Sequence, residues 1–168
     1  MIIPIVQDGD PVLRQVARPV KNFNRSLKKL MDDMLETMYD APGVGLAAPQ
    51  VGVSRRIVVA DVGEGLGPFF LVNPEITERS GSQEGYEGCL SVVGWVGEVE
   101  RYERVVVRAW DPYGREQWVR AEGFFARCMQ HEVDHLNGIL YKDRATHLVR
   151  QQEDDEEKDA PGASEREG

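Results

Sequence analysis

The chain is poor in the residues that staple small secreted domains: it has two cysteines, Cys89 and Cys128, in 168 residues. That is too few for a disulfide framework. No apolar run approaches the roughly 18 to 20 residues that span a membrane. The start, Met1-Ile2-Ile3-Pro4-Ile5-Val6-Gln7-Asp8, has neither the basic opening nor the long apolar stretch of a signal peptide. Bases are outnumbered, 20 against 29 acids, and nothing resembles a basic nucleic-acid footprint. These absences lead us to expect a soluble, cytoplasmic protein with no membrane partner and no direct, specific nucleic-acid binding. A hydrophobic content of 41 % suits one domain with an ordinary core.

The negative charge is unevenly placed. Residues 151–168 hold eight acids (Glu153, Asp154, Asp155, Glu156, Glu157, Asp159, Glu165 and Glu167) against Lys158 and Arg166. Apolar side chains are almost missing there, so the stretch cannot bury enough surface to offset its ordering entropy. We expect a disordered acidic tail; the alternative is an acidic interaction segment.

Histidine is scarce too, yet two of the three stand together in Gln130-His131-Glu132-Val133-Asp134-His135. On a helix, residues four apart face the same way, one turn along. His131 and His135 can therefore share one metal ion, while Glu132 lies about 100° round the helix, free to take a proton from the attacking water. The plain alternative is a pair of core or surface histidines at helical spacing. Two imidazoles need a further ligand. Cys128 lies on their face, but seven residues before His135, about 10.5 Å along the axis, which is too far for one ion to gather all three. Cys89, on the short polar link Glu87-Gly88-Cys89-Leu90-Ser91, can reach the helix and complete a site with an open position.

The rest of the pattern predicts the fold. Asp10-Pro11 reads as a capped start of a short helix. Leu27, Leu30, Met31, Met34, Leu35 and Met38 follow helical spacing up to Pro42-Gly43, with the methionines as core packing. Residues 43–52 are small and glycine-rich; we read them as a cleft wall of exposed backbone, with Gln50 supplying an amide. Strands are predicted over 56–62, 69–73, 76–79, 99–110 and 115–121, with a type I turn at Asp111-Pro112-Tyr113-Gly114. The last helix, 123–137, places Phe124, Arg127, Cys128, His131 and His135 on one face and Phe125, Met129, Val133 and Leu136 on the other. Without βαβ alternation, the class is α+β, mainly antiparallel sheets packed around a central HExxH-bearing helix.

Three segments resemble, in order, the signature motifs of peptide deformylases: Gly43-Val44-Gly45-Leu46-Ala47-Ala48-Pro49-Gln50, Glu87-Gly88-Cys89-Leu90-Ser91, and Gln130 to Gly138. The resemblance runs from about residue 4 to 144. It implies a hydrolase that removes the N-formyl group from N-formylmethionyl nascent peptides. It implies one divalent metal ion per chain, Fe(II) favoured, with zinc, nickel or cobalt also able to occupy the site. It casts Cys89, His131 and His135 as ligands, Glu132 as general base and acid, and Gln50 with the Leu90 backbone N–H as oxyanion donors. Val44, Gly45, Tyr86, Phe124, Cys128 and His131 become the substrate groove and methionine pocket, and Arg101 a further substrate contact. Residues 1–147 are then the catalytic domain and 148–168 the acidic tail. A transient association with the ribosome is also implied, although an acidic tail is repelled by RNA phosphates. Two other classes remain at this point. A zinc endopeptidase needs a ligand downstream, where only Asp143 and the tail offer one. A non-catalytic metal or peptide binder needs neither Glu132 nor Gln50.

Overall fold

A computed structural model of the chain describes residues 1–151. The acidic stretch beyond them, expected to be a disordered tail, lies outside the described residues. Asp10 caps a short 3-10 turn over Pro11–Arg14, its carboxylate accepting from Val12 N–H at 3.1 Å. Helix α1, Arg25–Asp40, is capped by the Asn24 side chain and buries Leu27, Met31, Met34 and Met38, as the spacing predicts.

Among the described residues, eight strands form two antiparallel sheets. The larger has the order β1 (Gly45–Ala47), β2 (Ile57–Ala60), β3 (Phe69–Ser80), β6 (Arg104–Trp110), β7 (Glu116–Glu122). The smaller has the order β4 (Gln83–Cys89), β5 (Val92–Arg101), β8 (His147–Arg150). All four residues of β2 are buried because the larger sheet is covered on both sides. Ile57 and Val59 pack with the α1 methionines, whereas Val58 joins the cluster around Phe125, Met129 and Leu136 of helix α2 (Phe124–Leu136). The period of two divides a continuous apolar run between two cores.

The structure departs from the predicted elements where backbone polarity is satisfied by something other than a regular ladder. The expected strands over 69–73 and 76–79 are one strand, β3, with register shifts on either side of Glu75–Ile76. Asn73, at φ +52°, exchanges two bonds with Val20, its Oδ1 accepting from the Val20 N–H and its Nδ2 donating to the Val20 carbonyl; a bulge there tolerates Pro74. The single strand expected over 99–110 is two, in different sheets. The break falls at Tyr102, whose N–H and carbonyl are both taken by the Gln130 amide. The link around Cys89 is not a loose connection: β4 and β5 form a hairpin in which Cys89 pairs with Val92 across Leu90-Ser91. Strand β8 pairs with β5, so residues 148–150, assigned above to the tail, belong to a sheet. Val133 does not join the core face of α2; it is half-buried and lines a surface groove with Gln130 and Asn137.

Candidate functional site

Phe125, Met129 and Leu136 commit one side of helix α2 to the core under the larger sheet, and its polar side chains occupy the rest of its circumference, with Glu132 and Cys128 against Gly45 of β1. Gly138, at φ +76°, follows its end; its position against the Arg14 carbonyl leaves no room for a Cβ. Ligand atoms of Cys89, His131 and His135 all lie within 4.8 Å of one another, and all three residues are buried. The Cys89 sulfur is 3.4 Å from His135 Nε2. Bonds of about 2.0–2.3 Å to one tetrahedral ion would hold such atoms about 3.3–3.8 Å apart, so small adjustments suffice.

The polar atoms of this cluster fit a metal. His131 Nε2 is buried with no hydrogen bond among the described residues. Burial disfavours protonated His131, yet the adjacent Cys89 sulfur and the Glu87 carboxylate outweigh burial and raise it above the ordinary histidine range. A proton there answers the same negative groups that a divalent ion would. His135 is pushed the other way by burial and by His131, towards the neutral form that ligates.

Glu132 sits beside the cluster, fully buried, with both carboxylate oxygens unpartnered among the described residues. Burial pushes it up to about 8, against the pull of His131. Its space exists because position 45 is glycine: a Cβ on Gly45 would lie 2.5 Å from Glu132 Oε2 and 3.0 Å from the Cys128 sulfur. Strand β1 can thus run directly along α2. Gln50 follows β1 in a 3-10 turn, Ala48–Val51. Its Oε1 accepts from Ala47 N–H at 3.0 Å, which aims Nε2 at Ser91 Oγ, 3.2 Å away, and at the Cys89 sulfur, 3.6 Å away. Leu90 and Ser91 form the turn after Cys89, and the Ser91 N–H donates to its sulfur at 3.4 Å.

A shallow recess beside His131 is lined by Val44, Tyr86, Phe124 and Cys128, joined by Glu87, Gly88 and Arg127. Tyr86 and Phe124 are exposed at its mouth. The Cys128 sulfur faces the Val44 carbonyl at 3.7 Å and lies outside the ligand cluster. Arg101 does not fit the role of a substrate contact. It is 5 % exposed, and its guanidinium is consumed by Glu87 at 2.8 and 2.9 Å and by Asp134 at 2.8 Å.

The residue that this arrangement brings forward is Glu87, to which the sequence patterns assign no role. Its carboxylate takes Arg101, Arg127 at 2.7 Å and His131 Nδ1 at 2.9 Å. Burial alone would raise it; the bonds from Arg101 and His131 instead hold it well below the usual carboxylate range. With Nδ1 engaged, His131 Nε2 is directed at the ligand cluster. Tyr141, in the short helix α3 (Tyr141–Arg144), stacks on the His131 ring at 6.1 Å between centroids. Neither residue carries a sequence signal beyond being a lone acid next to Gly88-Cys89 and an aromatic after Ile139-Leu140. Glu87→Gln is expected to weaken metal affinity about 10- to 100-fold. Chelator competition measures this; unchanged affinity would mean that Glu87 only neutralises the arginines.

The polypeptide deformylase family model matches residues 2–151. The chain belongs to the peptide deformylase family. It is 54 % identical over 159 residues to a peptide deformylase of Symbiobacterium thermophilum, covering 94 % of this chain and 73 % of that one. It is 50 % identical to that of Carboxydothermus hydrogenoformans, covering 89 % and 97 %. Among solved structures, the peptide deformylase of Thermotoga maritima superposes with a TM-score of 0.84 at 46 % identity, covering 87 % of this chain and 99 % of that one. The peptide deformylase of Synechococcus elongatus, in complex with actinonin, gives 0.82 at 44 %, covering 85 % and 80 %. Peptide deformylases are metal-dependent hydrolases that remove the formyl group from N-formylmethionyl nascent peptides, and this chain is such an enzyme. No helix among the described residues is long and apolar enough to cross a membrane.

Proposed function

We propose that Cys89, His131 and His135 hold the catalytic ion, one per chain, and that Glu132 carries the proton through the reaction. The observation that supports this best is the buried Glu132 carboxylate and the neighbouring buried His131 Nε2, both without a hydrogen-bond partner among the described residues. Bound there, a divalent metal lowers the pKa of water and polarises the formyl oxygen. Glu132 takes the water proton as the formyl carbon is attacked and delivers it to the departing methionine amine, releasing formate. Gln50 Nε2 and the Leu90 N–H meet the charge that develops on the formyl oxygen; one such donor is worth about 2.7–4 kcal/mol. The peptide backbone pairs with the edge at Val44 and Gly45, and the methionine side chain enters the recess between Val44, Tyr86, Phe124, Cys128 and His131. The catalytic unit runs from the N-terminus through β8. Acting on chains as they emerge, the enzyme works in the cytoplasm and in transient association with the ribosome.

A thiolate with two imidazoles accepts zinc, iron, cobalt or nickel. We assign Fe(II) as the working metal on the family likeness. Samples reconstituted with each metal, with content measured, are assayed on formyl-Met-Ala and on an unmodified internal peptide, before and after exposure to air. Only the formylated peptide is expected to react, fastest with fresh iron, and air is expected to abolish that advantage. Cleavage of the internal peptide would point to an endopeptidase; a zinc form equal to fresh iron would remove the iron assignment and leave the ligands standing.

A further inference from the structure

The N-terminal segment runs past three parts of the site that lie far from it in sequence. The Val6 N–H donates to the Gln50 carbonyl at 2.8 Å, and the Asp8 N–H to the Ser91 carbonyl at 2.8 Å. Between them the Gln7 side chain donates from Nε2 to the Leu90 carbonyl at 3.0 Å. Two side contacts fasten the segment. Asp8 pairs with Lys142 of α3, and Ile3 and Ile5 pack into the α1 core, where Leu90 also rests.

Consider what these bonds hold. Leu90 and Ser91 are the two central residues of the β4–β5 turn, so the peptide unit between them is the one whose 180° rotation interconverts type I and type II turns. In the observed orientation its carbonyl points outward to Gln7 and its N–H points inward to the Cys89 sulfur at 3.4 Å. Rotation would turn the carbonyl oxygen towards that sulfur and withdraw the N–H. The Ser91 hydroxyl, 3.2 Å from Gln50 Nε2, would shift with it.

We propose that Gln7 is a positioning residue that locks the Leu90–Ser91 peptide, so that the turn keeps the Ser91 N–H on the Cys89 sulfur and the Ser91 hydroxyl on the Gln50 amide. Its effect on turnover rests on the roles proposed above for Cys89 and Gln50. Gln7 touches neither substrate nor ligand atoms. It acts through the turn, and its side chain is exposed, so replacing it leaves the core intact.

The test compares the holoenzyme with Gln7→Met, which keeps the length and loses the donor, and Gln7→Arg, which restores a donor. Amide hydrogen exchange over residues 89–92 reads the lock directly, with or without metal. Steady-state kinetics on formyl-Met-Ala read its consequence. In Gln7→Met we expect faster exchange confined to 89–92, an unchanged melting temperature, an unchanged KM, and kcat lowered roughly 2- to 10-fold, the span of one neutral hydrogen bond. Gln7→Arg is expected to recover both exchange and kcat. Unchanged exchange in Gln7→Met overturns the lock. Faster exchange with unchanged kcat upholds the lock and overturns its consequence for turnover.

Discussion

Replacing Glu132 with alanine is expected to lower turnover about 10²- to 10⁴-fold, the contribution of a positioned general acid–base group, while metal content stays near normal. The separation of the two readouts follows from position. Glu132 is one residue from His131, yet its oxygens lie outside the Cys89–His131–His135 cluster and accept no hydrogen bond among the described residues. A carboxylate buried without donors is costly to keep charged, which is why burial pushes it up to about 8. The measurement is kcat on formyl-Met-Ala beside elemental analysis of the same sample. A variant that is metal-loaded and still fast would remove Glu132 from the mechanism; one that loses its metal would make it a ligand.

The second large effect concerns the two cysteines. Cys89→Ala is expected to abolish tight metal binding and, with it, activity. Cys128→Ala is expected to keep the metal and change only packing around Val44 and the recess, at a cost of order 1 kcal/mol for a small buried side chain. The spacing argument excluding Cys128 needs only the rise of a helix. The Cys128 sulfur faces the Val44 carbonyl, whereas the Cys89 sulfur approaches both His135 and the Gln50 amide. Metal analysis of the two purified variants decides between them, and loss in Cys128→Ala alone would reverse the assignment.

Much of the site is legible in the sequence because its residues announce themselves by spacing. His131, Glu132 and His135 occupy one helix, where a period of 3.6 fixes which side chains meet. The apolar stripe through Phe125, Met129 and Leu136 says which side is spoken for. What the sequence hides are partnerships between elements. Arg101 enters the sequence reading only as a substrate contact implied by the resemblance, and only the meeting of β5 with α2 reveals that Glu87 and Asp134 consume it. Glu87 is one acid among 29; its contact with His131 depends on the β4–β5 hairpin bringing residues 44 apart in sequence to 2.9 Å. The break at Tyr102 is invisible in a β-rich run because the group that ends the ladder is a side chain, Gln130, on a helix. Strand β8 escapes notice for a related reason: four exposed residues carry no alternation, and only β5 gives them a ladder.

Helix α2 is fixed by Phe125, Met129 and Leu136, and Cys89 by a hairpin whose pairing runs from Gln83 to Arg101. Neither attachment involves the ion. In a zinc finger the metal is the fold, and a chelator unfolds the chain. If Cys89, His131 and His135 hold the ion as proposed, it would be a replaceable fitting in a socket that these elements build. Folding would then place little constraint on which metal is carried, and the supply of ions at the moment of loading would become part of what determines how fast the enzyme works.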